Sequence, residues 1–130
     1  MRVLALDYGA ARTGVAVSDA TGTIARPVGI VERASTSDGL ARLEAIVREE
    51  DAERVVVGMP LTLRGEVGAQ ARETQAFVEA LRGVLSVPVE TYDERFTTTL
   101  AATAGGAADE DARAAAHLLE SYLRRAGGEP

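Results

Sequence analysis

At 130 residues the chain suits one compact domain with a buried core, and leaves too little length for two domains that close on a ligand. Cysteine is absent, which excludes disulfides, thiolate metal ligands and cysteine nucleophiles; hydrophobic residues make up 46%, yet no run approaches the roughly 20 apolar residues of a membrane span. The formal charge of -6 runs against a phosphate-bearing partner, but all 14 basic residues are arginine, whose forked guanidinium grips phosphate in local patches even on an acidic chain.

The chain opens on Arg2-Val3-Leu4-Ala5-Leu6-Asp7, short and apolar, in which Asp7 arrives before a secretory apolar region of about 7 residues can form, so a cytoplasmic protein is expected. Gly14-Val15-Ala16-Val17-Ser18-Asp19 repeats the pattern after a glycine-bearing connection and reads as the second arm of a hairpin. A third strand is expected over 23–32, with Pro27 tolerable at an edge or bulge. Leu40, Leu43, Ile46 and Val47 then form a helical stripe for which Ser37 or Asp38 serves as N-cap.

Arg54-Val55-Val56-Val57-Gly58 is wholly apolar after its first residue, as in a parallel strand buried on both faces, so it is expected inside the sheet. A loop through Pro60, Gly65 and Gly68 leads to a second helix burying Ala71, Thr74, Phe77, Val78 and Leu81. Pro88-Val89-Glu90-Thr91-Tyr92 returns to strand and delivers Asp93-Glu94-Arg95. A short helix over 98–103, a glycine-rich connection, a last helix over 109–125 and a frayed tail at 127–130 complete the reading. The last helix carries a stripe of Ala112, Ala115, Ala116, Leu119, Tyr122 and Leu123. Together these elements make a single α/β domain: a mixed five-stranded sheet, three strands antiparallel and the rest parallel, flanked by helices.

Acids recur where such a sheet binds ligands. Asp7 and Glu94, with Asp93 before it, fall at the carboxyl ends of strands, and Asp111 opens the last helix, whose small face lets it lie close to the sheet. Each alone has an ordinary explanation: a turn cap, a solvated Asp-Glu-Arg turn, an acid favoured by a helix dipole. Together they are candidates to converge, and such crowding is stable only with cations, since like charges raise one another's pKa. If one strand separates the first from the last, their backbones lie roughly 10 Å apart, a gap two divalent ions would bridge. Arg12, Arg64, Arg72 and Arg95 lie in or just after loops that follow strands and are candidates to hold phosphates. His117, inside the last helix, is assigned no role.

The motifs resemble the YqgF/RuvX group of Holliday-junction-resolvase-like proteins, described as pre-16S rRNA nucleases. The likeness is carried by Leu4-Ala5-Leu6-Asp7-Tyr8-Gly9 through Arg12-Thr13-Gly14-Val15-Ala16-Val17-Ser18-Asp19, by Val56-Val57-Gly58-Met59-Pro60-Leu61 with Gly65, and by Asp93-Glu94-Arg95-Phe96-Thr97-Thr98. Asp111-Ala112-Arg113-Ala114-Ala115-Ala116, leading to Leu119-Glu120-Ser121-Tyr122-Leu123, completes it. The resemblance implies a ribonuclease H-like fold, magnesium or manganese, and phosphodiester hydrolysis in 5′-end maturation of small-subunit ribosomal RNA or on branched DNA. It carries catalytic and metal-holding roles onto Asp7, Glu94 and Asp111, with Asp7 bridging two ions; Asp93 is left either to orient Arg95 or to serve as a weaker fourth ligand. One departure stands out: the family often carries a basic segment before its last acid, and nothing basic lies here between Arg95 and Arg113. Two other classes share parts of the pattern. The Asp7-x-Gly9 turn is like the phosphate motif of actin-like ATPases and sugar kinases, which need two such domains, and an adaptor on the same fold would bind nucleic acid without cutting it. The protein is expected as a monomer or homodimer with a nucleic-acid partner and no membrane.

Overall fold

A computed structural model describes residues 1–96 and 107–127. Three strands come first, β1 (Val3–Asp7), β2 (Arg12–Ser18) and β3 (Ala25–Glu32), followed by α1 (Ser37–Glu49), β4 (Arg54–Met59), α2 (Ala69–Val84), β5 (Val89–Asp93), a single 3-10 turn (Glu94–Phe96) and α3 (Ala107–Gly127). The strands form one sheet in the order β3-β2-β1-β4-β5, antiparallel across β1–β2 and β2–β3 and parallel across β1–β4 and β4–β5. The mixed five-stranded sheet read from the sequence is therefore present, and β4 separates β1 from β5. The expected helix over 98–103 lies outside the described residues, as does the expected tail at 127–130 apart from Gly127, which belongs to the last helix.

Alternation along β1 explains why it is apolar throughout. Leu4 and Leu6 face a core built with Leu43, Ile46 and Val47 of α1 and Phe77, Val78 and Leu81 of α2, whereas Val3 and Ala5 face a second core with Ala115, Ala116, Leu118 and Leu119 of α3. Asp7 shares the parity of Val3 and Ala5, so the first strand delivers its acid to the α3 side. Pro27 sits on the edge strand β3 where the register with β2 shifts between Val15 and Ala16, a place that needs no amide hydrogen. The α1 N-cap is Thr36, whose hydroxyl accepts from the Gly39 amide, in place of the expected Ser37 or Asp38; the chain is still extended at Thr36 and helical from Ser37 onward.

α3 lies across β1, β2 and β3 and is fixed at both ends. Near its C-terminus Ser121 meets the Tyr92 hydroxyl at 2.7 Å, and the Tyr122 hydroxyl donates to Glu90 while accepting from Arg54 at 3.1 Å. Near its start the bare backbone of Gly14 admits α3 so closely that a Cβ there would stand 1.9 Å from the carbonyl oxygen of Asp111. The helix also begins earlier than expected, at Ala107, which puts Asp111 in its second turn.

Gly14→Ala should therefore push α3 off β2 and cost about 3 kcal/mol or more, at the upper end of ordinary overpacking because backbone atoms cannot yield. Gly83→Ala, where an added Cβ meets nothing within 4 Å on α2, should gain about 0.5 kcal/mol. Urea unfolding of both variants checks the pair, and equal small effects would mean that α3 is not seated by contact at Gly14.

Candidate active site

Glu94 reaches Asp7 across β4 because β4 offers no side chain in the way. β1 and β4 run in parallel register up to Leu6 and Val57, so Asp7 and Gly58 are the next neighbours, and Gly58 faces the α3 side. A Cβ on Gly58 would lie 2.6 Å from Oε2 of Glu94. The carboxyl of Glu94 thus fills the place of the missing side chain and comes within hydrogen-bonding range of Asp7. The roughly 10 Å between strand backbones, which the sequence reading left for ions to bridge, is closed by the glutamate itself. In the sequence Gly58 closes an apolar run and lies inside the family-like motif; a glycine late in a buried strand is the available signal for a close approach.

The pair is electrostatically uncomfortable. Burial is the largest influence on both groups and raises both pKa values; the Asp111 charge pushes Asp7 further up, while Asp7 and Asp93 push Glu94 further up. Glu94 is driven from an ordinary 4.5 to about 7, and its hydrogen bond with Asp7 opposes the rise in Asp7, so Glu94 is the partner that holds the proton and donates it.

Asp111 is near enough to be felt by Asp7 but is turned onto Arg12, whose Nε donates to its Oδ2 at 2.8 Å. This pair ties the first residue of β2 to α3 across 99 positions of sequence. Arg12 borders an open cleft lined also by Ala11, Glu32, Arg33, Thr36 and Asp38. Among the described residues, no three histidine or acidic side chains stand together closely enough to hold an ion as they are. The structure therefore brings Asp7 and Glu94 together and keeps Asp111 beside them under a guanidinium.

The remaining candidates fall into two groups. Arg64, on the turn between β4 and α2, and Arg72, in the first turn of α2, are exposed. Arg95 is engaged instead: its Nε and Nη2 fork onto the Asp93 carboxylate at 2.6–3.1 Å. Asp93 alternates along β5 with Tyr92, which faces the α3 side, and so lies on the other side of the sheet from Asp7; its pKa is held down chiefly by the Arg95 side chain. His117 lies beside Glu120 at 3.4 Å on α3, apart from this cluster.

With this geometry in place, comparison with known proteins decides the family. The sequence matches RuvX, Holliday junction resolvase, over residues 1–125. The chain belongs to the RuvX family. A Chloroflexus aurantiacus protein named "Putative pre-16S rRNA nuclease" is 46% identical over 76% of this chain, which spans 65% of that relative's length. A protein of the same name from Rubrobacter xylanophilus is 44% identical over 98% of this chain and 95% of its own. Among solved structures, RuvC of Thermus thermophilus in complex with a Holliday junction substrate superimposes with a TM-score of 0.59 at 19% identity, covering 98% of this chain and 96% of that one. The ribonuclease H-like fold implied by the sequence is thereby borne out for this RuvX chain. None of its helices, among the described residues, is long and apolar enough to cross a membrane.

The raised pKa of Glu94 has a thermodynamic consequence with a definite sign. An acid whose pKa is higher in the folded than in the unfolded chain binds more protons when folded, so its contribution to stability is full below about 4.5 and is lost as pH climbs to about 7. Asp7 acts in the same direction, whereas the lowered pKa values of Asp19 and Asp93 act at lower pH. Thermal or urea unfolding of the metal-free protein should show stability falling by about 1–2 kcal/mol between pH 5 and 7.5, allowing for partial exposure of Glu94. Glu94→Gln should largely remove that fall; a parallel pH dependence in the variant would mean the two carboxyls do not share a proton.

Proposed function

We propose that this RuvX chain is a cytoplasmic, divalent-metal-dependent nuclease that hydrolyses phosphodiester bonds in 5′-end maturation of pre-16S ribosomal RNA. The observation that carries the reading is the half-buried Asp7–Glu94 carboxyl pair, with Asp111 beside it, at the carboxyl edge of a ribonuclease H-like sheet. The substrate class follows the names of its relatives. Branched DNA such as a Holliday junction is a second substrate class, favoured by the description of the family and by the ligand of the RuvC neighbour.

The donor set fits hard cations. It consists of carboxylate oxygens, with no sulfur and no nearby imidazole, which suits magnesium or manganese. Burial, and after it the charge of Asp7, keeps a proton on the pair. Asp7, Glu94 and Asp111 would hold the metal. Bound there, divalent ions would lower the pKa of the attacking water and offset charge on the leaving oxygen.

The chain's own groups then have distinct tasks. Asp7 stands between the other two acids and presents its carboxylate to both sides. Glu94, which holds the shared proton, would have to be deprotonated to hold a cation. Arg12 releases Asp111 and becomes available, at the edge of the cleft, to the phosphate of the strand. Arg64 and Arg72, exposed on the α2 side, hold the strand's flanking phosphates without reading sequence.

Asp7→Asn removes the central charge while conserving shape. It should lower manganese-dependent cleavage of an RNA spanning the 16S 5′ boundary by at least about a hundredfold, with no loss of thermal stability in the metal-free protein. Cleavage by a folded Asp7→Asn protein at the wild-type rate would contradict the assignment. A wild-type protein that binds this RNA but leaves it intact in manganese would favour the adaptor reading.

A further inference from the structure

We propose that Asp93 and Arg95 form a positioning clamp that holds Glu94 and the Arg64 turn in place, so that Arg95 is not one of the phosphate contacts; the inference rests on the nuclease reading above. Both oxygens of Asp93 are committed to one residue. Oδ1 accepts from the Arg95 backbone amide at 2.9 Å and from Nε at 3.1 Å, and Oδ2 accepts from Nε at 2.9 Å and from Nη2 at 2.6 Å. The Asp93 side chain is only 16% exposed, and this fork is the geometry in which a guanidinium–carboxylate pair is strongest and most directional. Asp93 is thus committed elsewhere than to a metal.

The third nitrogen of Arg95, Nη1, donates to the carbonyl of Leu63 at 3.4 Å. The guanidinium lies against Gly65, whose backbone is left-handed (φ 81°) and whose absent Cβ would stand 3.1 Å from Nη1 and 3.3 Å from Nη2. Any side chain there would both strain the turn and displace the arginine. The turn is closed upon itself by the Gly65 amide donating to the Thr62 carbonyl at 2.8 Å and by the Glu66 amide donating to Thr62 Oγ1 at 3.0 Å. Arg64 is carried at its tip, between Leu63 and Gly65, and points its charge outward.

Glu94 lies between the two members of the clamp in sequence, so the Asp93–Arg95 fork fixes the backbone from which the glutamate reaches over Gly58. The same guanidinium braces the turn that presents Arg64. One side chain therefore couples a metal-holding acid to a phosphate-holding arginine. Its own charge is matched by Asp93 and adds little to the attraction for a polyanion. These are the properties of a positioning residue.

The test compares Arg95→Ala, Arg95→Lys, Asp93→Asn and Asp93→Asn/Arg95→Ala with Arg64→Ala, reading the salt dependence of binding to a single-stranded RNA together with manganese-dependent kcat and KM. For single strands, log K changes by about 0.7 per log unit of salt for each phosphate neutralised. Arg64→Ala should make the slope shallower by about 0.7, and Arg95→Ala should leave it unchanged. The Arg95 and Asp93 single variants should each lose about tenfold or more in kcat with little change in KM, and the double variant should be no worse than either single. Arg95→Lys, which keeps the charge and loses the fork, should match Arg95→Ala and covers the case in which the alanine variant does not fold.

A slope reduced by about 0.7 in Arg95→Ala and retained in Arg95→Lys would make Arg95 a phosphate contact and overturn the clamp. Lowered thermal stability with kcat unchanged would overturn it as well, by leaving the pair a purely structural role. A wild-type chain that binds RNA without cleaving it overturns the nuclease reading, and the clamp's part in catalysis with it, which is distinct from a cleaving wild type with a displaced salt slope.

Discussion

Like charges brought together at the end of a sheet are the constraint around which this RuvX chain is arranged. Asp7 and Glu94 approach over a strand position that has no side chain, Asp111 stands within electrostatic reach of Asp7, and burial together with the charge of Asp7 keeps the Glu94 carboxyl protonated up to about pH 7. Two further ion pairs contain the excess negative charge. Arg12 takes up Asp111, and Arg95 takes up Asp93. The chain thus supplies cations for two of these four acids and a proton for a third.

Glycine placement makes this crowding sterically feasible. Gly58 opens the path for Glu94, and Gly14 lets α3 descend until the backbone at Asp111 touches β2. The polar contacts of Ser121 and Tyr122 with Tyr92, Glu90 and Arg54 anchor the other end of the helix. A helix fixed at two distant points cannot rotate about its axis, so the reach of Asp111 is set both by the contact at Gly14 and by packing at the far end of α3. Support of this kind would hold Asp111 to the tolerance of a fraction of an ångström that the proposed role requires.

Much of this was legible in the sequence because it depends on local pattern. The alternation of Val3-Leu4-Ala5-Leu6 predicts a strand buried on both faces, the all-apolar Val55-Val56-Val57 predicts an interior parallel strand, and the small stripe Ala112, Ala115 and Ala116 predicts a closely seated helix. The three acids stood out because they close strands or open a helix. What the pattern did not contain was pairing across long separations. Nothing near Arg12 indicates that its partner lies in α3, and nothing near Glu94 indicates that its side chain spans a neighbouring strand. The N-cap shifted by one residue because Thr36, Ser37 and Asp38 are all competent caps, and the choice is made by where the chain leaves β3. Arg95 is a candidate phosphate donor on the sequence, which gives no sign of its fork with Asp93.

On the proposed reading, Asp7 and Glu94 share a proton that a divalent cation displaces. Calorimetric titration of manganese into the wild-type protein, in buffers of differing ionisation enthalpy, measures that displacement directly. The account predicts binding that releases close to one proton per site at about pH 6 and almost none at about pH 8.5, with affinity rising between the two. Binding without proton release at pH 6, or no binding at either pH, would contradict it.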